Sequence, residues 1–175
     1  MALDSMMENI ALDIAESTKI LFETMVMLDL QHTASFLTDD IHIKTDIIGM
    51  VSFTGKYYGV IALFCSQKFS LKIASNLLMT EVTQLTMEVK DAIGEIAKMI
   101  AGTVRMKISA YYGDMHLSVP VVITGGNISI TAINDYPAIS DATLSCFSSD
   151  PWLIMPFTSH NEKFNIGLLL KESNK

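Results

Sequence analysis

Asp91-Ala92-Ile93-Gly94-Glu95-Ile96-Ala97-Lys98-Met99-Ile100-Ala101-Gly102 is the stretch whose reading decides the fold of this chain. Around it Val89, Ile93, Ile96, Ala97, Ile100, Val104 and Ile108 recur at steps of three and four, which makes the single apolar stripe of a long, half-buried helix. Glu88, Asp91, Glu95, Lys98, Gly102 and Arg105 recur with the same steps and form a second, polar row. A glycine inside a helix costs about 1 kcal/mol relative to alanine, so Gly102 on an exposed row needs a reason. Close approach by a docking partner is such a reason, and the row is read as a candidate binding face.

Outward from this helix the pattern alternates between helix and strand. Ser5 and Glu8 have the spacing of a capping box, and Ile10, Ile14, Leu21 and Met25 continue on one face, which predicts a first helix ending near Leu28 to Leu30. Strands are expected at about Ile43 to Phe53 and Tyr58 to Cys65, turning at Thr54-Gly55-Lys56. The run Gly59 to Cys65 is apolar at every position, so it is covered on both faces or covered on one by a partner chain. A short helix follows at about Ser70 to Met79, and the long helix runs from about Thr86 to Tyr111. Val119 to Thr124 and Asn127 to Ala132 flank Gly125-Gly126, a hairpin signal. Asp135 to Ala138 reads as a loop, and strands are expected at Ala142 to Ser149, Trp152 to Thr158 and Phe164 to Leu170. No linker divides the chain, so residues 1–175 are read as one α+β domain. Its sheet is mixed but mainly antiparallel, with about six strands packed against two long helices and one short one.

Composition sets the outer limits. Half of the 175 residues are hydrophobic and 18% are charged, which suits a globular core. A net charge of −7 opposes sequence-independent nucleic-acid binding, which needs a basic footprint. No uninterrupted apolar run is long enough to span a membrane. Asp4, Glu8, Asp13 and Glu16 at the N-terminal end are wrong for a secretory signal, so a cytoplasmic chain is expected. Cys65 and Cys146 read as buried free thiols. His32, His42, His116 and His160 are scattered singly, so no metal site is expected. The twelve methionines read as adaptable core filling.

With these elements placed, the long helix resembles the signature helix of the CheC/CheX family, bacterial chemotaxis phosphatases that act on the phosphorylated response regulator CheY. The matching positions are Asp91, Glu95, Lys98 and, at the start of the next strand, Pro120. The likeness continues through Met106-Lys107-Ile108 and Val119-Pro120-Val121-Val122-Ile123-Thr124-Gly125. Only one such helix is visible. Glu16-x-x-Lys19 on the first helix has no Asn and lacks the glycine pattern, so the chain is similar to the single-motif CheX branch, whose members pair as homodimers through their sheets.

The resemblance implies a receiver partner and roles for named residues. Glu95 would contact the active-site lysine of a phosphorylated CheY-like receiver, and Asp91, Gly94, Gly102 and Arg105 would line the docking face. The position of Lys98 is held in the family by an Asn that orients the attacking water. Mg²⁺ would be carried by the receiver, so the chain needs no cofactor of its own. An amide suits that task because it is both donor and acceptor, whereas an ammonium has three donors and no acceptor. Lys98 can instead pair with Glu95 one turn away, or reach a phosphoryl oxygen. The expected function is therefore that of a response-regulator phosphatase-family protein that acts on or binds a phosphorylated receiver, with catalysis lost or altered at Lys98. The alternative is a non-catalytic receiver-binding or dimeric scaffold module.

Overall fold

The structure, a computed structural model, describes residues 5–38, 43–129 and 151–172. The strand expected at Ala142 to Ser149, the loop at Asp135 to Ala138, His42 and Cys146 lie outside these residues.

Helix α1 is described over Ser5–Leu21 and passes into a π-helical turn, Phe22–Val26. The turn closes where Met27 takes a left-handed conformation and the Leu28 amide returns to the Phe22 carbonyl at 3.1 Å. The regular helix thus stops sooner than its periodicity predicts. Two short strands follow, β1 (Gln31–His32) and β2 (Phe36–Thr38), and then the long hairpin of β3 (Lys44–Gly55) and β4 (Tyr57–Cys65). Helix α2 (Gln67–Leu78) starts three residues before its expected position because Ser66 caps it, its hydroxyl accepting from the Phe69 amide at 3.1 Å. Helix α3 (Met87–Tyr112) is the long helix read from the sequence. Strands β5 (Met115–Leu117), β6 (Val121–Ser129), β7 (Trp152–Ser159) and β8 (Glu162–Glu172) complete the order.

Among the described residues the strands form one eight-stranded sheet in which every pairing is antiparallel. β7, β8, β4 and β3 run side by side, β1 and β2 share the outer side of β7, and β5 and β6 share the outer side of β3. Among the described residues α1, β1, β2 and the β3–β4 hairpin are matched in order by α3, β5, β6 and the β7–β8 hairpin, with α2 between the two sets. The two sets meet where β4 pairs β8, which makes the arrangement internally two-fold. The fold class is α+β as read. The sheet has more strands than expected because short edge strands carry too few residues to show alternation.

One expectation is corrected. Gly125-Gly126 is not a hairpin turn: β6 runs through it, and both of its ends pair with β3. The register steps from Ile47↔Thr124 to Thr45↔Ile128, so Gly125, Gly126 and Asn127 bulge opposite Asp46. Glycines permit such a bulge as readily as a turn.

The helices cover one face of the sheet. Ile61, Leu63 and Cys65 of β4 join Val51, Phe53, Met155 and Leu168 beneath α1 and α3. On the other face Val60, Ala62 and Phe64 form a second cluster with Ile48, Trp152 and Leu169. β4 is therefore a central strand buried on both sides. The seat of α3 is set by Gly49, where a side chain would come within 2.9 Å of Ile93 Cγ2 and 3.2 Å of Ala97 Cβ. With no side chain at Gly49, α3 packs directly on β3, and its opposite side is held outward.

Candidate functional site

The buried stripe of α3 fixes the direction of its polar row. Val89, Ile93, Ile96 and Ile108 are essentially inaccessible, so Asp91, Glu95, Lys98 and Arg105 stand on the outward side and are all exposed. Lys107 Nζ donates to Asp13 Oδ1 at 3.2 Å and ties the C-terminal half of α3 to α1. The row therefore sits on a helix anchored by sheet packing below and by an ion pair at its side.

Within the row, Lys98 Nζ donates to Glu95 Oε2 at 3.3 Å, and both side chains are more than half exposed. An exposed pair one turn apart is worth about 0.2–0.5 kcal/mol, little enough for either group to be recruited by an incoming partner. Asp91 and Arg105 have no ion-pair partner among the described residues. Gly102 faces open space: a Cβ there would meet nothing within 4 Å. The chain's own packing does not require a glycine at that position.

Gly94, which the resemblance put on the docking face, lies off the exposed row. It is buried, and a Cβ there would lie 3.4 Å from Val122 Cγ2 and 3.6 Å from Pro120 Cγ. It belongs to the flank where the start of β6 lies against α3, one turn before Lys98. Pro120 thus helps seat the helix, a role that spacing alone does not reveal.

The internal two-fold gives the row a counterpart. On α1, Ile14, Ala15, Thr18 and Leu21 face inward or line the α1–α3 contact, as do Ile93, Gly94, Ala97 and Ile100 on α3. Glu16 and Lys19, both exposed, keep the register of Glu95 and Lys98.

Other chemistry is confined. Among the described residues no three His, Cys, Asp or Glu side chains come together in a way that would hold a metal ion. Cys65 is buried, and burial, with Asp46 adding to it, pushes its thiol up to about 12, which keeps it protonated and unreactive. No helix among the described residues is long and apolar enough to cross a membrane. The chemistry available on α3 is that of a carboxylate and an ammonium offered together on a rigid, exposed helix, suited to a partner that presents a cation beside an anion.

A helix-covered antiparallel sheet of this strand order is the fold of CheC-like and CheX-like chemotaxis proteins. CheX from Desulfovibrio desulfuricans superposes with a TM-score of 0.77 at 20% identity, covering 93% of this chain and 99% of that one. CheX from Vibrio vulnificus gives 0.77 at 21% identity over 93% and 99%. The CheX-CheY-BeF3-Mg²⁺ complex from Borrelia burgdorferi gives 0.69 at 17% identity over 98% and 100%. At these identities the likeness is one of fold. No curated protein sequence matches the chain. The family described as chemotaxis phosphatase CheX matches residues 47–141, more than half of the sequence, and this chain belongs to it.

Proposed function

We propose that this CheX-family protein docks through the exposed row of α3 on a phosphorylated CheY-like receiver, with Glu95 engaging the receiver's active-site lysine and Lys98 reaching its phosphoryl group. The supporting observation is the Glu95–Lys98 pair itself, exposed, 3.3 Å apart and on the stretch that the family match covers. The Borrelia relative, solved as a CheX-CheY-BeF3-Mg²⁺ complex, supports a receiver as the partner class. Asp91 and Arg105 flank the contact, and Gly102 leaves room for the partner's backbone. Mg²⁺ belongs to the receiver in this reading, and both proteins meet in the cytoplasm.

Dephosphorylation of an acyl phosphate depends on holding a water in line and stabilising charge. Lys98 stabilises charge, but it has no acceptor with which to hold the water's proton. The protein therefore binds the phosphorylated receiver and hydrolyses it slowly. A homodimer fits the same picture. Among the described residues β6 pairs only with β3, and Val121 and Ile123 on this outer strand are 52% and 40% exposed, an edge available to a second copy.

The test follows loss of the acyl phosphate from CheY receivers of the same organism labelled with acetyl phosphate. The wild-type chain is expected to bind the labelled receiver and to speed decay only slightly, whereas Lys98→Asn speeds it by about tenfold or more. Absence of binding to every receiver by both proteins overturns the docking reading. Binding without any gain from Lys98→Asn overturns the role given to position 98.

A further inference from the structure

A second feature lies away from α3. The β7–β8 hairpin turns through His160 and Asn161, both left-handed, at φ 46° and 69°, between the paired residues Ser159 and Glu162. Two-residue turns of this kind are normally built with Asn-Gly, and a histidine in the left-handed region is uncommon. Backbone strain of this sort persists where the surroundings hold it. Here Ser159 is buried and its Oγ lies 3.2 Å from His160 Nδ1, which fixes the imidazole over an adjoining cleft and leaves Nε2 without a partner among the described residues.

The cleft has a volume of about 520 Å³ and is lined entirely by polar or charged residues. Such a volume falls within the range of roughly 300–1,000 Å³ typical of small-molecule sites. Gln31 and Thr158, cross-strand partners, form one wall, and Asn161 closes the turn side. Two opposite charges face it: Asp29 and Lys163. Neither has an ion-pair partner among the described residues, although Glu162 beside Lys163 is already engaged by Lys68. Every residue lining the space offers a polar or charged group to a ligand. A carboxylate and an ammonium on the same polar cleft complement a molecule carrying both charges. No residue of α3 takes part, so the feature is independent of receiver docking.

We propose that the cleft between Asp29 and Lys163 under the β7–β8 hairpin binds a free α-amino acid, its ammonium on Asp29 and its carboxylate on Lys163 and His160. The site places a small-metabolite contact on a chain whose α3 faces a receiver.

The experiment is titration calorimetry of the full chain with each of the common amino acids, preceded by a thermal-shift screen at millimolar concentration. At least one amino acid is expected to raise the melting temperature and bind saturably. Its N-acetyl derivative and its methyl ester, each lacking one charge, are expected to bind about tenfold more weakly or worse, as are Asp29→Asn and Lys163→Met. Both positions are exposed, so these variants retain the fold. Glu95→Gln is expected to bind the amino acid as the wild type does. Failure of every amino acid to bind overturns the proposal, and so does binding that survives both Asp29→Asn and Lys163→Met.

Discussion

Lys98 Nζ lies 3.3 Å from Glu95 Oε2, so the carboxylate that faces outward on α3 already has a cation beside it before any partner arrives. Two consequences of that contact can be separated. If the ammonium contacts the receiver's phosphoryl group, Lys98→Met weakens binding of the phosphorylated receiver by about tenfold and leaves the unphosphorylated form unchanged, because a charge-assisted hydrogen bond is lost only with phosphate present. If Lys98 merely occupies Glu95, Lys98→Met strengthens binding of both forms. Affinities for the two receiver forms, measured side by side, decide. Stability should change by less than about 0.5 kcal/mol, since the pair is exposed.

Gly102 offers a test in which stability and binding move in opposite directions. A Cβ at this position meets nothing within 4 Å, so Gly102→Ala should stabilise α3 by about 0.5–1 kcal/mol and raise the melting temperature by about 1–4 °C. If the glycine serves as clearance for a docked receiver, the same variant binds the receiver more weakly. A variant that is both more stable and an equally good binder would remove Gly102 from the docking face. Glu16→Gln on α1 is the companion control: a loss as large as that from Glu95→Gln would move docking to the equivalent face of α1.

How much of this was legible in the sequence depends on how each element signals itself. α3 was readable because its apolar stripe, Val89 to Ile108, spans about five turns, and the Glu95–Lys98 contact follows from helical spacing once the outward face is known. β3 and β4 were readable because their runs are long. β1, β2 and β5 were not, since two or three residues show no period and gain their identity only from the neighbour they pair with. Gly125-Gly126 misled because the conformational freedom that suits a turn suits a bulge equally well. Gly94 entered the docking set through the family resemblance and not through the polar row, and only the position of Pro120 and Val122 shows it to be covered. The Asp29–Lys163 cleft had no sequence signal, because its residues lie at opposite ends of the chain and are joined only by the pairing of β1 with β7.

His32 should make the fold sensitive to mild acid. Its ring packs against Phe157 at 5.1 Å between centroids, and its Nε2 lies 3.0 Å from Ser35 Oγ. Burial, with Lys19 adding to it, holds its pKa below the ordinary 6.5. The unfolded chain therefore binds a proton at a higher pH than the folded one does. Stability is fully present above the unfolded value and declines as pH falls through the range just below 6.5. Melting temperatures between pH 7.5 and 5 should fall less steeply in His32→Gln than in the wild type, once each series is normalised to pH 7.5. Parallel curves for the two proteins would show that His32 does not carry the effect.

Cys65 gives a direct reading of how firmly the centre of the sheet is closed. It ends β4 beneath the helices, Thr45 Oγ1 donates to its carbonyl at 2.8 Å, and burial pushes its thiol up to about 12. The thiolate is the species that attacks disulfide reagents, so the folded chain at pH 8 exposes neither the atom nor the charge state needed. In a Cys146→Ser background, which leaves Cys65 as the single thiol, reaction with an aromatic disulfide reagent should be at least about 10³-fold slower than in denaturant. The rate should track opening of the β3–β4 hairpin, because β4 is bonded on one side to β3 and on the other to β8. Gly59→Ala, which drives a methyl group into the Leu169 carbonyl across the β4–β8 pairing, should raise the labelling rate sharply. Labelling as fast as in denaturant for the wild type, or unchanged by Gly59→Ala, would mean that β4 is not the closed centre of this sheet.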